Sequence, residues 1–277
     1  MVSRTLGRTV GHGAVAGAAA GGVGATALYW LVEPSIRAAI AIEEAGGPAG
    51  EAGGHSHAAG GDHAGSHGLA ADALVPRDEQ VVFALVTVLL VGILIGIAFA
   101  LAHRVLGTRL PGKSPAGSAM TLAGLGFVAF TLAPAIIVPA NPPAVGDPAT
   151  VSLRAVTYLG TIVCAVALTT IVTALARAKE LAPRSRAVAA TALGIVGSLV
   201  LVWALPNAAD PVPANVPADL VWEFRVGSLT QLGLMWLVLG AVFAYLTPSQ
   251  VVTRTSPPTP MRIGRRRHLQ PASVAEV

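Results

Sequence analysis

Apolar residues come in long runs, and the charged ones are swept into the gaps between them. Six runs are long and clean enough to cross a bilayer as helices, which takes about 20 mostly apolar residues each. They cover residues 10–32, 81–102, 116–138, 155–176, 187–205 and 226–246. None contains Asp, Glu, Lys or Arg, and the one histidine inside these limits, His12, stands near the edge of the first. Helices on the surface of a soluble protein keep a polar face at helical spacing. These are apolar all round. The pattern therefore predicts an all-α fold, a polytopic membrane helix bundle of about six transmembrane helices, with the lipid bilayer as its solvent.

The divisions of the chain follow. Residues 1–9 form a cytoplasmic N-terminus, 10–32 the first transmembrane helix, 33–80 an outer loop rich in His and Gly, and 81–246 the remaining five-helix bundle. Residues 247–277 form a basic cytoplasmic tail, expected to be disordered. Arg4 and Arg8 ahead of the first run resemble the start of a signal peptide. That run is longer than a signal core of about 7–15 residues, and Glu33, Pro34 and Arg37 stand where a small-residue cleavage site belongs. An uncleaved helix is expected. Its Gly13, Gly17 and Gly21 fall four residues apart, as do Gly92 and Gly96 in the second run, a spacing that lets helix backbones approach closely.

Composition sharpens the class. Charged residues make up 12% of the chain, against about 25% in soluble domains. The 53% apolar content excludes a disordered chain, and the single cysteine excludes a disulfide framework. The net charge of +4 does not point to nucleic acid, because the basic residues border apolar runs and are not interleaved with aromatics. They are sorted by face instead. The termini and the loops at Arg104–Lys113 and Arg177–Arg186 hold 14 of the 18 basic residues, with only Glu180 and Glu276 as acids. The other 12 of 14 acids share the opposite face with Arg37, Arg77, Arg154 and Arg225. The positive-inside rule puts both termini in the cytoplasm.

Each odd run ends near a proline (Pro34, Pro134, Pro206), and each even run begins near an arginine (Arg77, Arg154, Arg225). The stretch Pro139-Ala140-Asn141-Pro142 is echoed by Pro213-Ala214-Asn215-Val216-Pro217. Two readings fit: three repeated helical hairpins, or prolines that end helices and arginines that anchor them at the interface.

The richest chemistry lies in the 33–80 loop. His55, His57, His63 and His67 fall within thirteen residues, with Asp62 among them and Gly and Ala between. Imidazole suits Co, Ni, Cu and Zn, and a glycine-rich chain can wrap around their geometry. These five residues are the candidate metal ligands, with Glu43, Glu44 and Glu51 upstream as further oxygen donors. The spacing has no paired-Cys or helical His register, so it suits fast capture over storage. A linker with incidental histidines is the plainer reading of the same composition.

Other features carry less. Residues 107–114 read Gly-Thr-Arg-Leu-Pro-Gly-Lys-Ser and fit the P-loop pattern, but a membrane run precedes them, another follows, and no chain remains for a nucleotide fold. No nucleotide is expected there. With no charge inside the runs there is no proton relay or charged ion site, so a path between helices must use hydroxyls, carbonyls and sulfur. Thr157, Thr161 and Cys164 share one face of the fourth run, and Ser228, Gln231 and Met235 one face of the sixth. Cys164 reads as a buried thiol. Asp210, Asp219 and Glu223 could extend a negative funnel outside, Trp203 and Trp222 read as interface anchors, and Arg265–Arg267 as a contact to lipid headgroups. No Ser/His/Asp or Cys/His arrangement suggests an enzyme.

Several of these features occur in a characteristic order. A Gly/Ala-rich first helix ends in Glu33-Pro34 and is followed by an acidic, His-bearing loop. Phe130-Thr131-Leu132-Ala133-Pro134 and the Pro-rich run 139–148 come next, then Ala204-Leu205-Pro206 with its Asp/Pro loop, and Arg225 ahead of the last run. In this the chain resembles the CbtA family of predicted bacterial cobalt transporter subunits. The resemblance implies cobalt uptake linked to cobalamin synthesis in the bacterial inner membrane, beside a small His-rich single-span partner subunit. Family members often carry a histidine close after the proline that ends the fifth run. Asn207 stands there in this chain, so no metal ligand is carried over to that position. The expectation is a membrane subunit of a divalent transition-metal uptake system with no tightly bound cofactor, its loop capturing Co2+, with Ni2+ or Zn2+ as other cargo. The alternative is a non-transporting membrane scaffold whose loop is a tether.

Overall fold

The structure is a computed structural model, and it describes residues 2–46, 76–111, 114–143, 145–206 and 208–247. Among them there are helices and turns and no strand. Six helical stretches are long and apolar enough to cross a membrane, one for each run in the sequence.

The first stretch joins α1 (Val2–Ala27), a π-helical turn (Leu28–Val32) and α2 (Glu33–Gly46) without a break. Glu33-Pro34 does not end it. A proline inside a helix has no N–H to give, and its ring collides with the carbonyl four residues back. The π turn relieves that collision by widening the backbone just before the ring, and the Glu33 N–H bonds Leu28 O in the long register. The helix continues past residue 32 for the 14 residues of α2. The same device recurs in the third stretch, where α4 (Pro115–Phe127) runs through a π turn (Val128–Leu132) into α5 (Ala133–Ile137) with Pro134 at its second position. The fifth stretch lacks it. There α7 (Pro183–Ala204) stops, and Leu205-Pro206 lies beyond its end.

The second stretch is α3 (Arg77–Leu106), the fourth α6 (Val151–Leu175) and the sixth α8 (Ala218–Leu246). α1 is the centre: it packs on α3 along one side and on α8 along the other. The glycines explain the first contact. A methyl group on Gly17 would collide with the Gly92 backbone, and one on Gly13 with Gly96 and Ala100, so the two glycine rows lie directly on each other. α8 inserts between α1 and α4, while α7 packs on α6 at the rim, so α7 and α8 do not form a packed hairpin as the first two pairs do. The apolar part of the first stretch is 39% buried and that of α7 only 6%. The remaining surface is Val, Leu, Ile and aromatic side chains facing outward, a surface that only lipid solvates well.

Two apolar clusters hold the ends. Ala16, Ala20, Phe99, Ala100, Ala119, Ala123, Leu239 and Phe243 join α1, α3, α4 and α8. At the opposite end, Ala39, Val145, Val216, Leu220 and Val221 draw α2, both proline-rich loops and the start of α8 into a cap.

Candidate functional site

The capped end is where the 33–80 segment leaves and rejoins the bundle. His55, His57, Asp62, His63 and His67 lie outside the described residues, as do Glu51, Asn207 and Arg265–Arg267. Glu43 and Glu44 are exposed near the end of α2. Among the described residues no group of three or more His, Cys, Asp or Glu is placed to hold a metal ion.

The feet of the segment are tied together. Glu33 Oε2 accepts a hydrogen bond from Arg77 Nη2 at 2.7 Å, and its Oε1 accepts from Arg37 Nε at 2.9 Å. The carboxylate is almost wholly buried. Burying it is costly unless ion pairs and hydrogen bonds satisfy its oxygens, and two guanidinium groups do so here. Arg37 is half exposed and also lies 3.8 Å from the exposed Asp78, a contact of little weight in water.

The other two arginines at the starts of even runs bind across the cap as well. Arg154 donates from Nη1 to Asp210 Oδ2 at 2.7 Å, and Thr150 Oγ1 donates to Oδ1 at 2.7 Å. Gly146, at φ +146°, lets the loop pass them: a Cβ there would stand 3.1 Å from Asp210 Oδ2 and 3.2 Å from Arg154 Nη1. Arg225 donates to Ala140 O at 3.0 Å and to Asn141 Oδ1 at 2.9 Å. Asp210 is therefore an ion-paired strut in the cap, which removes it from a funnel of free acids; Asp219 and Glu223 are exposed. So are Trp203 and Trp222.

Inside the bundle the polar groups are few. On α6, Thr157 and Thr161 are buried, and Thr161 Oγ1 donates to its own helix at Thr157 O, 2.7 Å away. Cys164 lies outward and is exposed, contrary to its reading as a buried thiol. The buried stripe of α6 steps by four through Thr157, Thr161 and Ala165, so Cys164 stands about 100° round the helix from Ala165. On α8, Gln231 and Met235 are buried while Ser228 is only partly covered. Thr131, within the second π turn, accepts a hydrogen bond from Trp236 Nε1 at 3.0 Å.

At the other end, His103 Nε2 lies 2.9 Å from Ser118 Oγ, and the His103 ring meets Phe243 edge-on at 5.2 Å. This joins α3, α4 and α8 next to the P-loop-like run. In that run Gly107–Arg109 is a short 3-10 turn after α3, and Ser114 caps α4 by accepting from Gly117 N at 3.0 Å. A helix-capping serine between two membrane helices is not a phosphate cradle. Sequence reasoning passed over His103, which stands one residue beyond its run, and the pairing of Glu33 with Arg37, whose i, i+4 spacing was the available signal.

A helical bundle of six apolar spans with an ion-paired cap belongs to the class of polytopic membrane proteins. The family described as "Probable cobalt transporter subunit (CbtA)" matches residues 6–248, nearly the whole chain, and the protein belongs to that family. Neither the curated proteins nor the solved structures contain a match.

Proposed function

We propose that this protein is the membrane subunit of a divalent transition-metal uptake system whose first cargo is cobalt. The observation that carries the reading is the family match, which runs through all six apolar helices. The capped face is the outer one and both termini are cytoplasmic in the bacterial inner membrane, in accord with the charge sorting. His55, His57, Asp62, His63 and His67 collect the ion outside and deliver it toward the bundle, and a small His-rich single-span subunit works beside it. Capture weakens below a pH of about 6.5, where imidazole protonates and ceases to be a ligand.

Deleting residues 53–68 and measuring cellular cobalt at limiting supply tests this. Uptake is expected to fall several-fold while the protein still reaches the membrane. Unchanged uptake with the complex intact would sink the capture role, and normal cobalt uptake in cells lacking the whole protein would sink the transport reading.

A further inference from the structure

The cations at the two ends of the bundle are held differently. At the capped end Arg37, Arg77, Arg154 and Arg225 each donate to a carboxylate, an amide oxygen or a backbone carbonyl of the chain. At the opposite end the turn between α6 and α7 carries Arg177, Lys179, Arg184 and Arg186 within ten residues. Among the described residues no ion pair engages any of these four side chains. Arg177, Lys179 and Arg184 are exposed and Arg186 is partly covered. Glu180, the one acid between them, is exposed and pairs with none, so four cations less one acid leave the turn at +3.

Helix electrostatics account for only part of this cluster. A cation is favoured at the C-terminal end of a helix, which suits Arg177 just beyond α6. Arg184 and Arg186 stand in the first turn of α7, the end where a cation is disfavoured, and no acid in that turn offsets them. Protein contacts do not fix the turn either. α6 packs chiefly on α7, α5 and the Val128–Leu132 turn, and α7 chiefly on α6. The His103 contacts at this end join α3, α4 and α8 and leave the α6–α7 pair out. Beside the cations the pair presents apolar side chains outward, with Ile171, Leu181 and Val188 all exposed. Unpaired positive charge thus stands at the rim of a surface that lipid tails cover.

A ligand that meets both features carries a negative charge above a long apolar body. We propose that the turn at residues 177–186 binds the headgroup phosphate of an anionic phospholipid, whose acyl chains lie along the exposed flank of α6 and α7. Clustered Lys and Arg at headgroup level draw such lipids, and the guanidinium fork suits phosphate oxygens. The lipid does for this end of the α6–α7 pair what Asp210 and Arg154 do at the cap: it fixes a weakly packed pair of helices in place. The site is independent of what the bundle carries.

The test titrates phosphatidylglycerol into the full-length protein in a neutral detergent, reading retained lipid by native mass spectrometry together with the thermal midpoint. Binding is expected to saturate, to raise the midpoint and to weaken as ionic strength rises. Phosphatidylcholine, which carries the same phosphate without net charge, should do none of these. The combined Arg177→Gln, Lys179→Gln, Arg184→Gln and Arg186→Gln variant should bind phosphatidylglycerol at least about tenfold more weakly. Arg8→Gln with Arg104→Gln and Arg109→Gln removes three other cations from the same end and should change binding by no more than about twofold. Equal retention of the two lipids by the native chain overturns the site, as does equal binding by the four-fold glutamine variant or an equal loss in the three-fold one. The same rise in midpoint with inorganic phosphate alone marks a free-anion site and overturns the lipid. The lipid and phosphate comparisons use the native chain, so they decide the matter even where the glutamine variant fails to fold.

Discussion

Asp210 and Arg154 meet at 2.7 Å although 56 positions of chain separate them. The contact ties the loop after the fifth membrane helix to the start of the fourth. Asp210 is buried and Arg154 largely so, which makes the pair sensitive to losing one member. Asp210→Ala leaves Arg154 uncompensated and should lower stability by about 3–5 kcal/mol, whereas replacing both by Leu and Met should recover most of that. Unfolding midpoints of the two variants in detergent check it. Equal losses in the single and double variants would contradict a paired role.

The α1–α3 seam has no room for a side chain. Gly17→Leu places an isobutyl group against the Gly92 backbone, and overpacking of this kind costs about 1–3 kcal/mol. Gly22→Leu is the control, because a Cβ at Gly22 meets nothing within 4 Å. Thermal unfolding should separate the two variants clearly.

Thr131 gives the Trp236 indole its partner at 3.0 Å. Thr131→Val keeps the shape and removes the acceptor. A cost near 1 kcal/mol is expected, in line with hydrogen bonds between membrane helices. A loss above about 3 kcal/mol would mean that the π turn itself depends on the threonine.

Cys164 faces outward, and its neighbour Ala165 is 2% exposed. Cys164→Leu should change stability by no more than about 0.5 kcal/mol, and Ala165→Leu by more than 1 kcal/mol. Reversal of that order would place the other face of α6 inward.

The spans were legible because lipid imposes one simple demand, a long apolar helix, and the sequence states it six times. The glycine rows announced a close helix contact, though not that Gly13 and Gly17 would meet Gly92 and Gly96. What local pattern hides is everything decided across the chain. Arg154 and Arg225 look like interface anchors until Asp210 and Asn141 arrive from other loops. Pro34 reads as a helix end because a proline normally is one; the preceding π turn cancels that effect, and nothing in Leu28–Val32 advertises it. At the candidate site, the shared face of Gln231 and Met235 could be read from spacing alone. That Met235 would lie against Gly24 depended on which helix α8 chose as its neighbour.

The helix that continues through Pro34 changes where the chain leaves the bundle. One attachment lies low, where Glu33 grips Arg77 beside the first residues of α3. The other is the tip of α2, 14 residues further on and so raised by about 20 Å. The chain therefore leaves α2 and re-enters α3 at heights about four helical turns apart.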